Sequence, residues 1–276
     1  MSKVILITGC STGIGRELAL RLAGSGYTVV ATARRVEALD DLPAALKLQV
    51  DVTRTDSVNR AVDCTLQRFG RIDVLISNAG YAIRGAVEEV PVEQVQQMFD
   101  VNVCGMIRMI RAVVPHMRER GVGRIINIGS VSGKLVTPAN GAYSASKFAL
   151  EALSDALRLE LAPFGIQVAL VEPGSINTPF HATVERNGEQ IFSNPRSPYR
   201  SLYEEYERVT AEMRRDEPGP GTVSKVVQEV IENPRPKARY LAGFPFPGRL
   251  ILALRDTIWE PVLWRMFKIQ KAANAV

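Results

Sequence analysis

The sequence is poor in the side chains from which metal sites and disulfide frameworks are built. It contains three cysteines, Cys10, Cys64 and Cys104, and two histidines, His116 and His181. An odd number of cysteines without a CxxC pair argues against a disulfide framework and a structural zinc site, and it fits a reducing compartment. Two isolated histidines are too few for a histidine-rich metal site or a Ser-His-Asp triad. We expect His116 near the end of a helix, His181 in a loop, and no bound metal.

Long apolar runs are also absent. No stretch approaches the roughly 18 uninterrupted apolar residues of a membrane span. The run "VILITG" that follows the first residues is shorter than a signal-peptide core and has no small-residue cleavage pattern after it. With 46% hydrophobic and 23% charged residues, we expect a globular, cytoplasmic protein of one large domain.

Aromatic residues make up only 7% of the chain, and the formal charge is +5 with a pI near 9.2. No basic run is interleaved with aromatics, so the sequence does not predict nucleic-acid binding. Binding of an anionic cofactor is a better explanation for a few of the arginines.

What the sequence does contain is an alternation of apolar runs rich in β-branched residues with helical patterns. Predicted strands cover 3–9, 28–34, 46–52, 73–80, 124–130, 167–174 and 238–243. Predicted helices cover 16–26, 55–70, 91–121, 142–165, 199–215 and 222–233. Continuous apolar runs suit strands buried on both faces. The alternation predicts an α/β fold with a parallel sheet, helices on both faces and right-handed crossovers.

The pattern loosens after residue 175. A polar stretch covers 177–200, and prolines interrupt the chain before the segment 249–271, which is apolar on one side and basic on the other. This last segment carries Trp259, Trp264 and Phe267. We interpret it as core packing or a subunit contact, with a substrate lid or a peripheral membrane-surface contact as the alternative.

A glycine-rich turn, "TGCSTGIGR", follows the first predicted strand and includes Gly9, Gly13 and Gly15. Glycines allow a tight turn and a close approach of backbone N–H groups to a ligand, and a helix N-terminus adds partial positive charge for a pyrophosphate. The spacing is neither GxGxxG nor a P-loop. A tight turn without a ligand is the alternative, but the position at the start of an alternating α/β chain favours a dinucleotide.

The second predicted strand ends in "ATARR", which places Ala33, Arg34 and Arg35 where an acidic residue would bind a ribose 2′-hydroxyl. Guanidinium groups match a phosphate bidentately, and Arg16 follows the glycines, so NADP(H) is favoured while NAD(H) stays possible. Exposed arginines at a strand end are the alternative. Asp51 is a candidate acceptor for an adenine amino group or an ordinary turn residue.

Tyr143 and Lys147 lie four residues apart in "AYSASK", so on a helix they share one face. The segment is either ordinary helix surface or a chemical site. A phenol has an ordinary pKa of about 10, and a neighbouring ammonium favours the phenolate. Lowering that pKa by about three would take roughly 4 kcal/mol of differential stabilisation.

Six motifs together resemble the short-chain dehydrogenase/reductase family: "TGCSTGIG", "SNAG" at 77–80, "VNVCG" around Asn102, "NIGSVSG" with Ser130, "YSASK" at 143–147 and "EPGSINTP" at 172–179. They run in family order from residue 4 to about 180. "ATARR", the residues after "GIG" and the long region beyond residue 180 most resemble the 17β-hydroxysteroid and retinol dehydrogenase branch.

The resemblance implies a single Rossmann-type, doubly wound domain over 1–276, with a substrate loop at about 177–220 and a C-terminal extension at about 244–276. It also implies a homodimer or homotetramer. Tyr143 would be the acid/base, Lys147 its activator, Ser130 the group that positions the substrate oxygen, and Asn102 the organiser of a water chain. Ser130 and Tyr143 would contact the substrate.

Cofactor contacts implied by the motifs and the arginines are Gly9, Ser11, Thr12, Gly13, Ile14, Gly15, Arg16, Arg34, Asp51, Val52, Asn78, Ala79, Gly80, Tyr143, Lys147, Pro173, Gly174, Ile176 and Thr178. In the substrate loop, Phe180, Phe192 and Tyr199 would either select the substrate or serve as packing residues.

We therefore predict an NADP(H)-preferring oxidoreductase that interconverts a ketone or aldehyde and an alcohol on a fairly apolar, steroid-, retinoid- or lipid-like substrate. Two alternatives stay open. One is a catalytically silent dinucleotide-binding regulator, against which the complete set of catalytic side chains argues. The other is the same chemistry with NAD(H) on a small polar carbonyl.

Overall fold

A parallel sheet of seven strands forms the centre of the described chain, which comprises residues 2–244 and 255–268 of this computed structural model. The strands are β1 Val4–Ile7, β2 Thr28–Ala33, β3 Leu46–Gln49, β4 Val74–Ser77, β5 Gly123–Ile128, β6 Ile166–Pro173 and β7 Arg239–Ala242. Their order in the sheet is β3-β2-β1-β4-β5-β6-β7. The order reverses between β1 and β4, and in open α/β sheets ligands bind beyond the carboxyl ends of the strands at such a switch point.

Helices cover both faces of the sheet, as the strand patterns predict. They are α1 Gly13–Gly24, α2 Thr55–Phe69, α3 Val92–Phe99, α4 Gly105–Glu119, α5 Gly141–Leu161, α6 Phe180–Phe192, α7 Arg200–Met213, α8 Gly221–Glu232 and α9 Arg255–Met266. Ile5 and Ile7 of β1 face a core with Leu18 of α1 and Val227 of α8. Leu6, between them, points to the opposite core, which α2, α4 and α5 cover. Because successive strand side chains alternate between faces, a continuous apolar run supplies both cores.

The predicted fold class is confirmed, and two elements differ from the sequence prediction. The helix expected over 91–121 is divided by a π-helical segment, Asp100–Cys104, between α3 and α4. The polar stretch over 177–200, with His181 expected in a loop, instead contains α6, so that expectation for His181 is wrong. Helix α6 buries Val184 and Gly188, two positions four residues apart that give too small an apolar face for the sequence to reveal.

The predicted substrate loop at about 177–220 therefore consists largely of α6 and α7. These helices and α9 form a separate apolar cluster, in which the rings of Tyr206 and Phe267 stack with centroids 5.9 Å apart. Phe267 thus packs within the protein. The side chain of Trp259 and residues 245–254 and 269–276 lie outside the described residues. Among the described helices, none has the length and apolarity needed to cross a membrane.

Candidate active site

A cleft of about 960 Å³ lies beyond the carboxyl ends of the strands, at the switch point of the sheet. Its walls come from the turns that follow β1 to β6. Eighteen of the nineteen residues predicted to contact a cofactor line it, the exception being Arg16. Ser130 lines it as well, whereas Asn102 lies in the layer behind the wall. The volume is at the upper end of ordinary ligand pockets, so it has room for a large ligand or for two.

The glycine-rich turn after β1 forms one end of the cleft. Gly9 and Gly13 have φ angles of +74° and +57°, which glycine adopts without strain. A Cβ atom on Gly15 would collide with the Gly9 carbonyl oxygen and with the Asn78 amide. Helix α1 begins here, and Thr12 makes no side-chain capping hydrogen bond to it. The first N–H groups of α1 are therefore without a side-chain cap, a geometry that fits the phosphates of a dinucleotide.

Thr8, which the sequence analysis did not single out, joins this turn to the segment after β4. Its hydroxyl oxygen accepts hydrogen bonds from the backbone N–H groups of Asn78 and Ala79, at 2.9 and 3.0 Å. The Asn78 amide in turn donates to the carbonyl oxygens of Thr8 and Gly9. The two turns at the switch point are thus held together before any ligand binds. The one signal for this role in the sequence is the position of Thr8 directly after an aliphatic strand.

At the outer end of the cleft, Arg34 and Arg35 are exposed and line the wall directly after β2. Arg16 does not take part, because its guanidinium pairs with Asp41 on the neighbouring turn. Arg16 thus does not line the cleft in this structure, and a contact between Arg16 and a cofactor stays a prediction. Arg34 makes no ion pair with the described residues and so is the better-placed cation for a phosphate.

Asp51 also lines the outer end, after β3. One of its carboxylate oxygens accepts from the backbone N–H and the hydroxyl of Thr53, at 3.0 and 2.7 Å. Asp51 thus acts as a turn residue, which is one of the two interpretations drawn from the sequence. Its second carboxylate oxygen makes no hydrogen bond to the described residues and is still available as an acceptor.

Tyr143 and Lys147 lie in the first turns of α5, at the end of the cleft opposite the glycine-rich turn, which we call the inner end. The Lys147 ammonium is 5.6 Å from the centre of the Tyr143 ring and donates to the Ile128 carbonyl oxygen at 3.1 Å. Ser130 follows β5 and lines the same wall. The three predicted catalytic side chains Ser130, Tyr143 and Lys147 are therefore brought together.

The electrostatics of this pair differ from the expectation that Lys147 lowers the pKa of Tyr143. Burial raises the pKa of Tyr143 to about 12, and an interaction with the Ser130 hydroxyl and the charge of Arg84 offset part of the rise. Burial also lowers the pKa of Lys147 to about 8. Desolvation disfavours the charged form of both groups, and neither group is among the causes of the other's pKa shift.

Asn102 occupies the π-helical segment between α3 and α4. Its amide donates to the Tyr81 carbonyl oxygen at 2.9 Å and to the Ser146 hydroxyl at 3.0 Å, and its Oδ1 accepts from the Tyr81 N–H at 2.8 Å. π-helical insertions often lie at functional sites. Here the insertion ties the segment after β4 to α5, the helix that carries Tyr143.

The mouth of the cleft is formed by α6, α7 and α9. The Phe180 ring lies 6.4 Å from the Tyr143 ring and lines the wall. Phe192 and Tyr199 do not line it: Phe192 stacks on Tyr203 at 4.4 Å, and Tyr199 lies 6.3 Å from the same ring. Of the three aromatic candidates, only Phe180 is thus placed to meet a substrate.

Comparison with known proteins gives matches over most of the chain. Residues 3–189 match the family model described as short chain dehydrogenase. A 3-ketodihydrosphingosine reductase of Bacteroides thetaiotaomicron is 36% identical over 94% of this chain and 93% of that protein. The human 17-beta-hydroxysteroid dehydrogenase type 1 is 35% identical over 92% of this chain and 81% of that protein.

Solved structures give the same picture. A short-chain dehydrogenase from Streptomyces avermitilis has a TM-score of 0.79 and 34% identity, with 97% of each chain covered. A short-chain dehydrogenase/reductase from Burkholderia phymatum in complex with NAD has a TM-score of 0.78 and 27% identity, with 95% of each chain covered. A variant of actinorhodin polyketide ketoreductase with NADPH has a TM-score of 0.74 and 32% identity, over 87% of this chain and 95% of that one.

Proposed function

The chain belongs to the short-chain dehydrogenase family, and from this premise we propose that it is an NADP(H)-preferring oxidoreductase. It would interconvert a ketone or aldehyde and an alcohol on a fairly apolar substrate. The observation that carries the proposal is the convergence of Ser130, Tyr143 and Lys147 at the inner end of a cleft whose other end is the glycine-rich turn. A protein that only senses a dinucleotide would have no use for a proton donor at that point.

The residues of the cleft fit a nicotinamide dinucleotide. The close approach that Gly15 permits and the uncapped start of α1 suit the pyrophosphate. Asp51 would face the adenine, Lys147 the nicotinamide ribose, and Ile176 and Thr178 the carboxamide. When bound, the cofactor supplies or accepts the hydride.

The preference for NADP(H) rests on Arg34 and Arg35. Similar structures contain NAD in one case and NADPH in another, so likeness to them does not decide between the two cofactors. Both arginines are exposed on the cleft wall after β2, where the adenosine ribose of a bound dinucleotide would lie. A 2′-phosphate would give their guanidinium groups a partner that a 2′-hydroxyl does not.

The proton would travel through Tyr143. With a pKa raised to about 12, the phenol holds its proton at neutral pH, which is the state that carbonyl reduction needs. As Tyr143 donates to the carbonyl oxygen, Ser130 would hydrogen-bond the same oxygen while charge develops on it. The Lys147 ammonium, one helical turn away, would then stabilise the phenolate that remains. Alcohol oxidation follows the same path in reverse.

An apolar substrate is supported by the mouth of the cleft, which is lined by Leu135, Phe180, Tyr206, Met213 and Phe267. Two relatives are named for 3-ketodihydrosphingosine and for a 17-beta-hydroxysteroid. Both are largely hydrocarbon molecules with a keto or hydroxyl group, which is the substrate class that this mouth would accept.

The proposal is tested by assaying a panel of lipophilic ketones, aldehydes and secondary alcohols with NADPH and NADP⁺, read at the nicotinamide absorbance. Tyr143→Phe should reduce kcat by about 10²-fold or more, since it removes the proton donor, while NADPH binding stays near the wild-type value. Tyr81→Phe is the matched control, because Tyr81 lines the same cleft but its hydroxyl is hydrogen-bonded to Gln94. It should keep most of the turnover.

Retained activity in Tyr143→Phe would contradict the acid/base role. NADPH binding without turnover of any panel member by the wild-type protein would favour the alternative of a silent dinucleotide-binding regulator.

A further inference from the structure

Arg84 is a half-buried cation on the wall of the cleft. It follows the segment 78–80, and its guanidinium carbon lies 5.4 Å from the centre of the Tyr206 ring. Within the described ranges, no carboxylate lies at ion-pair distance from it. A cation–π contact with an aromatic ring does not use the N–H donors of a guanidinium, so they stay available to another partner.

The backbone around Arg84 is fixed by neighbouring elements. The Asn187 amide of α6 donates to the Ala82 carbonyl oxygen at 2.8 Å, and the Gly85 N–H donates to the Ala139 carbonyl oxygen at 2.9 Å. A Cβ atom on Gly188 would lie 2.9 Å from the Arg84 carbonyl oxygen, so α6 packs directly on this turn. The backbone that carries Arg84 is thus fixed, so binding of an anion orders the side chain without having to order the turn.

The other charged groups at the mouth of the cleft, near Arg84, already have partners or are exposed to solvent. Arg214 pairs with Glu185. The Glu217 side chain is buried, accepts a hydrogen bond from Ser175, and lies 3.0 Å from the His181 ring nitrogen. Arg186 is exposed, where water and salt screen its charge.

Arg84 is also distinct from the cations at the cofactor end. It belongs to the turn after β4 and makes a cation–π contact with Tyr206 of α7, whereas Arg34 belongs to the turn after β2. The charge of Arg84 offsets part of the burial-driven rise in the pKa of Tyr143 and adds to the lowering of the pKa of His181. Arg84 and Tyr143 line the same cleft, so one bound molecule can contact both.

We propose that Arg84 binds an anionic group of the substrate, which makes the substrate an amphipathic carbonyl or alcohol that carries a carboxylate, phosphate or sulfate. The inference rests on the proposed function and narrows its substrate class. The apolar wall of Phe180, Tyr206 and Met213 accepts the hydrocarbon part, and the guanidinium of Arg84 accepts the anion. Planar, bidentate recognition is the geometry at which arginine is strongest.

The test compares straight-chain keto acids of increasing length with their methyl esters, and with keto-alkyl phosphates of the same lengths, using NADPH as the reductant. At the best length the wild-type protein should favour an anionic member over the neutral ester in kcat/KM by about ten- to a hundred-fold, the range expected for a hydrogen bond to a charged group. Preference for the acid or for the phosphate identifies the anion.

Arg84→Leu should bring this ratio close to one, because it should lower kcat/KM for the anionic members by about ten- to a hundred-fold and for the ester by much less. Arg84→Lys should restore part of the ratio, because the charge returns without the planar fork. Arg118→Leu is the matched control, since the Arg118 guanidinium also stacks on a ring, 5.5 Å from that of Phe164, and does not line the cleft. This variant should keep the wild-type ratio.

The inference is wrong if Arg84→Leu lowers turnover of the acid and the ester equally, because Arg84 would then act through Tyr143. It is also wrong if the ratio of kcat/KM between the anionic member and the ester does not change in Arg84→Leu. Calorimetric titration of the same acids and esters into the NADPH complex separates this result from failure of the proposed function. Arg84-dependent binding of the anion without turnover would keep the anion site and contradict the oxidoreductase assignment. Equal binding of acid and ester would overturn the anion site.

Discussion

Replacing Lys147 with methionine should stabilise the ligand-free protein while removing its activity. Lys147 is only 6% exposed, and burial lowers the pKa of its ammonium from 10.5 to about 8. Methionine has a similar length and no charge to desolvate. The lysine is therefore present at a cost to folding, which the substitution should remove.

The size of the effect follows from the two pKa values. A difference of about 2.5 corresponds to roughly 3 kcal/mol at pH 7, where the folded and unfolded states both carry the proton. Loss of the hydrogen bond from Lys147 to the Ile128 carbonyl oxygen offsets about 1–2 kcal/mol. We expect a net gain of about 1–2 kcal/mol in the free energy of unfolding, or an increase in Tm of about 2–6 °C.

The dependence on pH gives the sharper test. Below pH 8 both states are protonated and the cost of the lysine is complete. Between pH 8 and 10.5 the folded protein loses the proton before the unfolded chain does, so wild-type stability rises with pH relative to the variant. The advantage of Lys147→Met should therefore shrink across this window and reverse above it, where only the loss of about 1–2 kcal/mol from the missing hydrogen bond remains.

The assay is thermal unfolding followed by circular dichroism at a series of pH values without cofactor. Lys225→Met is the control, because Lys225 is exposed on α8, and its effect should stay within about 0.5 kcal/mol. A Lys147→Met protein that is less stable than wild type at pH 7, or whose advantage does not change with pH, would refute the reasoning.

Two further predictions concern the cofactor end of the cleft. Gly15→Ala should weaken NADPH binding and destabilise the protein, since the added Cβ meets the backbone of Gly9. The control Gly24→Ala lies in the same helix, where the added Cβ meets nothing within 4 Å, and it should stabilise the protein by about 0.5–1 kcal/mol. Urea unfolding measures the stabilities, and NADPH titration measures the binding. Ala33→Asp combined with Arg34→Ser should shift the ratio of kcat/KM for NADPH and NADH toward NADH, because an acid replaces the cation offered to a 2′-phosphate. An unchanged ratio would contradict the role assigned to Arg34.

The sequence predicted every strand of the sheet, and among the strands its errors lie at the ends that border the cleft. The run 73–80 reads as one strand, but β4 ends at Ser77 because the N–H groups of Asn78 and Ala79 bond to the Thr8 hydroxyl instead of a neighbouring strand. Composition cannot show this, since the competing acceptor is about 70 residues away in sequence and comes near only in the folded chain.

The same limit applies to side chains around the cleft. Phe180 and Phe192 stand at the two ends of one helix and look alike in sequence, yet one lines the cleft and the other stacks on Tyr203. Their difference depends on how α6 packs against α7. Arg84 carried no signal, because an isolated arginine in an apolar stretch becomes informative only when the absence of a nearby carboxylate in the described structure is known.

Asn102 links the turn that leads to Arg84 with helix α5, which carries Tyr143. An asparagine side chain can make four hydrogen bonds, and Tyr81 and Ser146 supply three of them, leaving one acceptor position on Oδ1. Ser146 in turn donates to the Tyr143 carbonyl oxygen at 2.7 Å. The turn that leads to Arg84 and the helix that carries Tyr143 are thus held by one buried network, so a change in its geometry would move these two side chains together.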